Sequence, residues 1–289
     1  MTEVMYLDAP SLVYRAFFAL PKTIRDPRGN PVNAVRGFME MVTRLLVDRR
    51  PDRVVAVFDG DYRPAFRVEA YPGYKAGRSE DPPELPLQFS ILTYVLDAAG
   101  VERAWSPGLE ADDAIATLVD DVRGDDRAFV VTGDRDLLSL VRDPHVSLLF
   151  TVRGVSDLEA FDEAAVAKRY GVPPSAYVDF ATLRGDPSDG LPGVSGIGPK
   201  RAAALIARYG SLRSVLEHVD DLPEKTAAAL RGASGYLEAM EKVVPPVGDA
   251  RIDMTPLHEP DEAELGALAE RYNLGSSAAR LAQARKGKR

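Results

Sequence analysis

Cysteine is absent from all 289 residues, which excludes disulfides, thiol nucleophiles, iron–sulfur clusters and thiolate-held zinc. Only three histidines occur, His145, His218 and His258. They are scattered and lack a partner motif, so zinc held by histidines and a Ser-His-Asp triad are both poorly placed. No stretch approaches the roughly 18 apolar residues that span a bilayer. The N-terminal MTEVMYLDAP has neither the basic nor the apolar segment of a signal peptide. Internal repeats and low-complexity tracts are missing too, and these absences together predict a cytoplasmic protein. What is present is a globular composition, 45% apolar and 28% charged, with a formal charge of −8. Net acidity argues against a nucleic-acid partner, unless the carboxylates are gathered to hold metal rather than spread over a solvated surface.

Short apolar runs alternate with helical patterns, as in a βαβ-type α/β sheet. Strands are predicted at residues 4–7, 53–58, 127–132 and 146–152, and helices at 11–20, 32–48, 86–99 and 111–122. Residues 61–86 are dense in Pro, Gly and Tyr and read as a long exposed loop of the kind that carries function. From about residue 172 the pattern turns all-helical around the glycine-rich LPGVSGIGPK. Residues 251–254 are expected to return to the sheet as an edge strand, 261–272 to form a closing helix, and AlaArgLysGlyLysArg at 284–289 to be a frayed basic tail.

Three of the four predicted strands finish on an aspartate: Asp8, Asp59 and, through Gly133, Asp134. One such residue is most simply a helix cap or turn. Three together point elsewhere, because ligands of open α/β sheets bind beyond the carboxyl ends of the strands. LeuGluAlaAspAspAla adds Glu110, Asp112 and Asp113 at a helix start, where the bland reading is first-turn capping. Asp136 follows Asp134, and ArgGlyAspProSerAspGly supplies Asp186 and Asp189 from the helical region. Nine carboxylates in one crevice would have to protonate in part unless cations sit among them. Mg²⁺ suits all-oxygen donors, and two such ions roughly 4 Å apart form a clamp for phosphodiester cleavage. With the nine set aside, the remaining balance is about +1, so the surface left for DNA is not acidic.

The segment LeuProGlyValSerGlyIleGlyProLysArg lies between helical patterns. Gly193, Gly196 and Gly198 would let a phosphate approach bare backbone N–H groups ahead of a helix N-terminus, with Lys200 and Arg201 at the mouth. Such an element grips duplex backbone without reading sequence. No strand precedes it, which rules out a dinucleotide fingerprint. In the long loop, Tyr74 could stack on a base, and Lys75, Arg78, Arg63 and Arg67 could meet a scissile phosphate; alone, they would be ordinary surface charges.

Assembled, the chain resembles the 5′-nuclease family, which includes the 5′→3′ exonuclease domain of bacterial DNA polymerase I, phage 5′-exonucleases and flap endonucleases. The carriers run in order: LeuAspAla at Asp8, PheAspGly at Asp59, TyrLysAlaGlyArg at Lys75, GluAlaAspAsp at Glu110, ThrGlyAspArgAspLeu at Asp134, and GlyAspProSerAspGlyLeuProGlyValSerGlyIleGly. The resemblance implies a PIN-like α/β core with a mostly parallel sheet over residues 1–171, including a helical arch region at about 61–100. It further implies a helix–three-turn–helix (helix–hairpin–helix) DNA-binding region over 172–245 and a return to the core over 246–289. It also implies hydrolysis with two Mg²⁺ or Mn²⁺ ions of DNA at 5′ ends, nicks, gaps and 5′ flaps, with RNA-primer hybrids as further substrates. The products would carry a 5′-phosphate and a 3′-hydroxyl, in replication and repair at the bacterial nucleoid. Carried over by position, Asp8, Asp59, Glu110, Asp112 and Asp113 group around one metal and Asp134, Asp136, Asp186 and Asp189 around the second. Lys75 and Arg78 match the family's catalytic cations, and the hairpin glycines match an element that can hold K⁺. No polymerase follows, so the expectation is a stand-alone relative needing no second copy. Residues 79–100 contain no Lys or Arg, which departs from a basic threading arch.

Three rivals fare worse. A dehalogenase-type phosphohydrolase needs a second Asp two residues after the first, where this chain has Pro10. A non-catalytic DNA-end binder would have lost acids, and none of the nine is missing. An RNA-cleaving PIN nuclease would lack the helical hairpin.

Overall fold

The computed structural model describes residues 1–287. Its centre is a seven-stranded sheet ordered β6-β5-β4-β1-β2-β3-β7. The strands are β1 (Glu3–Asp8), β2 (Arg53–Phe58), β3 (Glu102–Trp105), β4 (Arg127–Thr132), β5 (Val146–Thr151), β6 (Leu158–Phe161) and β7 (Asp253–Met254). The five inner strands run parallel, and the two edge strands, β6 and β7, are antiparallel to their neighbours. The expected strand at residues 251–254 is β7. Two strands escape a reading of apolar runs: β3, whose ERAW carries two charges, and the short β6.

Alternation along β1 divides the core. Met5 and Leu7 face the helices Ala9–Ala19 and Asn33–Arg49, while Val4 and Tyr6 face the helix Ala111–Asp120. The second layer continues without a break into the helical region through Tyr177, Phe180, Leu183, Ile197 and Leu205. That region is therefore packed on the sheet by a shared core rather than hung from a linker.

The region expected to form the arch holds a short helix, Ala65–Ala70, a run of turns, and the helix Leu85–Ala98. The inner face of that second helix (Leu85, Ile91, Leu92, Val95, Leu96) is fully buried. The first three residues of the expected basic tail, 284–286, end the helix Ser277–Lys286, in which Arg285 donates to the Gly100 carbonyl at 2.8 Å. Lys288 and Arg289 lie outside the described residues.

The chain runs from β1 to β2 and β3 on one side, then crosses to β4 on the other. The ends of β4, β1 and β2 are adjacent, and this reversal of strand order opens a crevice at the carboxyl edge. Asp134, Asp8 and Asp59 stand there.

Candidate metal centre and duplex-binding hairpin

Asp8 ends β1 and caps the next helix, accepting from the Ser11 N–H at 3.2 Å, while the Thr132 hydroxyl donates to its other oxygen at 2.5 Å. Asp59 accepts from the Ala111 N–H at 2.8 Å, and Asp134 accepts from the Asp136 N–H at 2.9 Å. Burial pushes the Asp8 carboxyl up to about 7, against the Thr132 bond and with help from the charges of Asp134 and Asp59. Burial likewise raises Asp59, Asp112, Asp134 and Asp136. Asp134 and Asp8 add to the shift of Asp112, and Asp186 and Asp189 to those of Asp134 and Asp136. Seven carboxylates, from β-strand ends, one helix start and the helical hairpin, therefore share one field.

Among the described residues no three acids already close around a single ligation point. Two observations bear on whether a hard divalent cation suits the crevice. Its donors are all carboxylate oxygens, and Asp136 Oδ1 is buried with no hydrogen-bond partner. Asp134, Asp186 and Asp189 crowd that carboxyl, Arg184 being the lesser counter-charge, so its buried oxygen lacks the bonded positive partner that burial demands. The residue set fits such an ion.

Two of the nine acids have a different engagement. Asp113 is wholly buried and takes both terminal nitrogens of Arg67 at 2.7 Å, together with the Val247 N–H at 2.9 Å and the Glu110 N–H at 3.1 Å. Its expected place among the metal ligands is thus corrected: its oxygens are spent on a buried ion pair and a helix cap. Glu110 accepts from Arg67 at 2.6 Å, from the Tyr74 hydroxyl at 2.6 Å and from the Lys75 ammonium. Burial raises the Glu110 carboxyl, against Lys75 and Arg67. Arg67 also donates to the carbonyls of Val243 and Pro245 at 2.9 and 3.3 Å, so it ties the helix start at Glu110 to the segment leaving the helical region. Burial opposes its charge, but Asp113 and Glu110 outweigh burial and raise its pKa.

Two loop residues expected at DNA are corrected by this packing. Arg67 is 3% exposed and Tyr74 5%, so neither reaches a phosphate or stacks on a base. Arg63 is half-buried and donates to the carbonyls of Tyr74 and Pro72 at 2.8 and 3.1 Å, bracing the loop. Lys75 and Arg78 do rim the crevice. The Lys75 backbone takes a left-handed φ of 52°, with its N–H on the Asp189 carbonyl at 2.8 Å. Burial would lower the Lys75 ammonium, but Glu110 and Asp189 beside it raise it. Arg78 meets Asp189 Oδ1 at 2.5 Å and is an exposed residue.

Sequence reasoning passed over Thr132, Ser11 and Arg15. Thr132 is fully buried and links Asp8 to the Asp134 N–H, which it accepts at 2.8 Å. Ser11 accepts from the Gly133 N–H at 2.9 Å. Arg15 donates to the Val152 carbonyl at 3.1 Å, places its Nη2 beside Gly133, and has a buried Nε without a partner. The signal was spacing: 8, 11 and 15 share one helical face.

In the hairpin, helices Tyr177–Arg184 and Pro199–Tyr209 flank the turn Pro187–Asp189 and the three glycines. Gly193 is corrected from phosphate contact to chain packing: at φ 67°, a Cβ there would stand 2.5 Å from the Arg184 carbonyl oxygen. Gly196, at φ 74°, and Gly198, at an ordinary φ of −83°, are exposed, as are Lys200 and Arg201. Arg201 donates to the Gly196 carbonyl at 2.7 Å. A paired substitution separates the two roles. Gly193→Ala should lower stability by about 1–3 kcal/mol through backbone strain and the clash. Gly198→Ala should leave the melting temperature unchanged and weaken duplex binding alone; equal melting of the two variants would remove the distinction.

A sheet edge that gathers carboxylates beside rim cations, with a helical hairpin packed against it, defines a nuclease of the metal-assisted α/β class. The chain belongs to the 5′-3′ exonuclease family. Residues 3–171 match its N-terminal resolvase-like domain and residues 172–262 its C-terminal SAM fold. It is 44% identical to a 5′-3′ exonuclease of Streptomyces coelicolor, over 96% of this chain and 98% of that one. To a 5′-3′ exonuclease of Mycobacterium tuberculosis it is 41% identical, covering 98% of each. DNA polymerase I of Mycobacterium bovis is 45% identical over 88% of this chain, but the match spans 28% of that protein. Among solved structures, T5 5′-exonuclease with zinc bound superposes with a TM-score of 0.66 at 19% identity, over 99% of this chain and 98% of that one. The catalytic core of Rad2 with DNA substrate gives 0.60 at 19%, over 96% and 90%. These two share the fold.

Proposed function

We propose that this nuclease cuts DNA phosphodiesters at 5′ ends, nicks, gaps and 5′ flaps, using two Mg²⁺ or Mn²⁺ ions and acting as a single copy. The carrying observation is the orphaned Asp136 Oδ1 in a field of carboxylates at the switch point of the sheet. Relatives named 5′-3′ exonuclease, and solved relatives bound to DNA or to metal ions, support the reading. Asp8, Asp59, Glu110 and Asp112 would hold one ion and Asp134, Asp136, Asp186 and Asp189 the other. Bound there, the ions would supply a water of lowered pKa and positive charge for the phosphoryl oxygens.

The chain's own residues do the rest. Thr132 and Ser11 fix the strand ends, so the carboxylates are placed before substrate arrives. Gly196, Gly198, Lys200 and Arg201 hold duplex phosphates, with K⁺ a further ligand of the hairpin carbonyls. Lys75 exchanges Glu110 for a phosphate oxygen, and Arg78 stands beside it.

Lys75→Ala should slow single-turnover cleavage about 10²–10³-fold at saturating enzyme with little change in flap affinity, because a positioned cation gains most as charge develops. Glu110 keeps Arg67 and Tyr74 in that variant, so the fold survives. Normal cutting once saturated would reduce Lys75 to a docking residue. The reading as a whole is tested with an end-labelled 5′-flap duplex in Mg²⁺, Mn²⁺ and EDTA. Metal-dependent products ending in 3′-hydroxyl are expected; cleavage in EDTA, or none in either metal, would overturn it.

A further inference from the structure

Beside the acid crevice lies a cavity of about 390 Å³ that the site described above does not use. Pro10, Phe58, Asp59, Phe89, Thr93 and Trp105 form its wall, and Asp59 belongs to both hollows. Phe58, Phe89 and Trp105 are each only half-buried, so three aromatic side chains meet solvent at the edge of a site otherwise made of charge. Phe89 is held by an edge-on contact with Tyr14, their ring centroids 6.3 Å apart. Arg103 also lines the pocket, its guanidinium 5.9 Å from the Trp105 ring centroid and paired to both oxygens of Asp97 at 2.8 Å. That pairing leaves the pocket with no free positive charge for a phosphate. An apolar, aromatic-walled slot of this volume suits a flat, uncharged ring.

We propose that this pocket receives one unpaired nucleobase of the strand being cut, stacked on Trp105 and Phe89, while a neighbouring phosphate lies among the carboxylates. This rests on the reading of the crevice as a DNA-cleaving site. The shared wall at Asp59 is what commits the occupant: a ring in the slot and a phosphate in the crevice belong to neighbouring nucleotides. Stacking is tolerant of base identity, as a site that acts on DNA ends of any sequence requires.

Trp105 is the chain's single tryptophan, so its emission reports this pocket alone. The experiment uses full-length protein with three 5′-flap duplexes: one intact, the others carrying an abasic residue immediately 5′ or 3′ of the scissile phosphate. On the intact flap, Trp105→Ala should raise the enzyme concentration for half-maximal single-turnover cleavage about tenfold, and Trp105→Phe should restore most of it. On one abasic flap, wild type and Trp105→Ala should perform alike, and tryptophan emission of the Asp136→Asn protein in Mg²⁺ should change with the intact flap but not with that one. Equal losses on all three substrates, or unchanged emission at saturating flap, would overturn the pocket. If wild type cuts no flap in Mg²⁺, the functional reading falls instead, and the emission titration still decides whether a base enters.

Discussion

The Asp136→Asn protein should bind flapped duplex and cut it about 10³-fold more slowly in Mg²⁺, while its metal-free form melts higher than the parent's. Both effects follow from one buried oxygen. Asp136 Oδ1 has no hydrogen-bond partner, and Asp134, Asp186 and Asp189 add repulsion to a carboxyl already raised by burial. A carboxyl whose folded pKa lies above its unfolded value near 4 costs stability once pH exceeds that unfolded value. The cost grows until pH passes the folded pKa and is constant beyond it. An amide removes the cost, so the gain in EDTA should be present at pH 8 and shrink as pH falls toward 4. Excess Mg²⁺ should reverse the order, since an ion that binds only the folded parent raises its stability by mass action. Thermal melts of both proteins in EDTA and in Mg²⁺, beside single-turnover cleavage, check the pair of effects. Parental cutting by Asp136→Asn, or a lower melt in EDTA, would remove Asp136 from the metal site.

Strand-end aspartates were legible because a parallel strand buried on both faces reads as a short apolar run, and whatever ends it reaches the crevice. The motif order carried the family, and the helical hairpin followed from glycines between two helical patterns. Legibility failed where a side chain's destination depends on distant chain. Arg67 sits in AFRVEA, a segment indistinguishable from surface, yet its partners are 43 to 178 residues away. Tyr74 is likewise buried by distant chain, against Leu191, Met240 and Val243, with its hydroxyl on Glu110. For Asp113 a local signal existed: its three-residue spacing from Glu110 is that of a capping box, and the structure shows that contact at 3.1 Å. The acid-rich context favoured metal over cap. β3 was hidden because its first two residues, Glu102 and Arg103, are charged and find partners in Arg53 and Asp97, so the strand needs no continuous apolar run.

Arg67→Met should cost about 3–5 kcal/mol of stability, a large share of the roughly 5–15 kcal/mol that holds a domain folded. Methionine replaces most of the buried stem but none of the five donor contacts to Glu110, Asp113, Val243 and Pro245. Two buried carboxylates then face each other without their shared cation. Arg67→Lys should recover little, because an ammonium cannot span Asp113 with two parallel bonds. Pairing Arg67→Met with Asp113→Asn should cost less than the two single losses added together, since the neutral amide removes one stranded charge. The rival role, a phosphate contact on the surface, makes the opposite forecast: unchanged melting, weaker DNA binding, and a salt dependence flatter by about one unit of slope. Denaturant unfolding of these variants and of Asp113→Asn alone, alongside a salt series of flap binding, separates the two. Parental stability in Arg67→Met with a flatter salt slope would return Arg67 to the DNA surface.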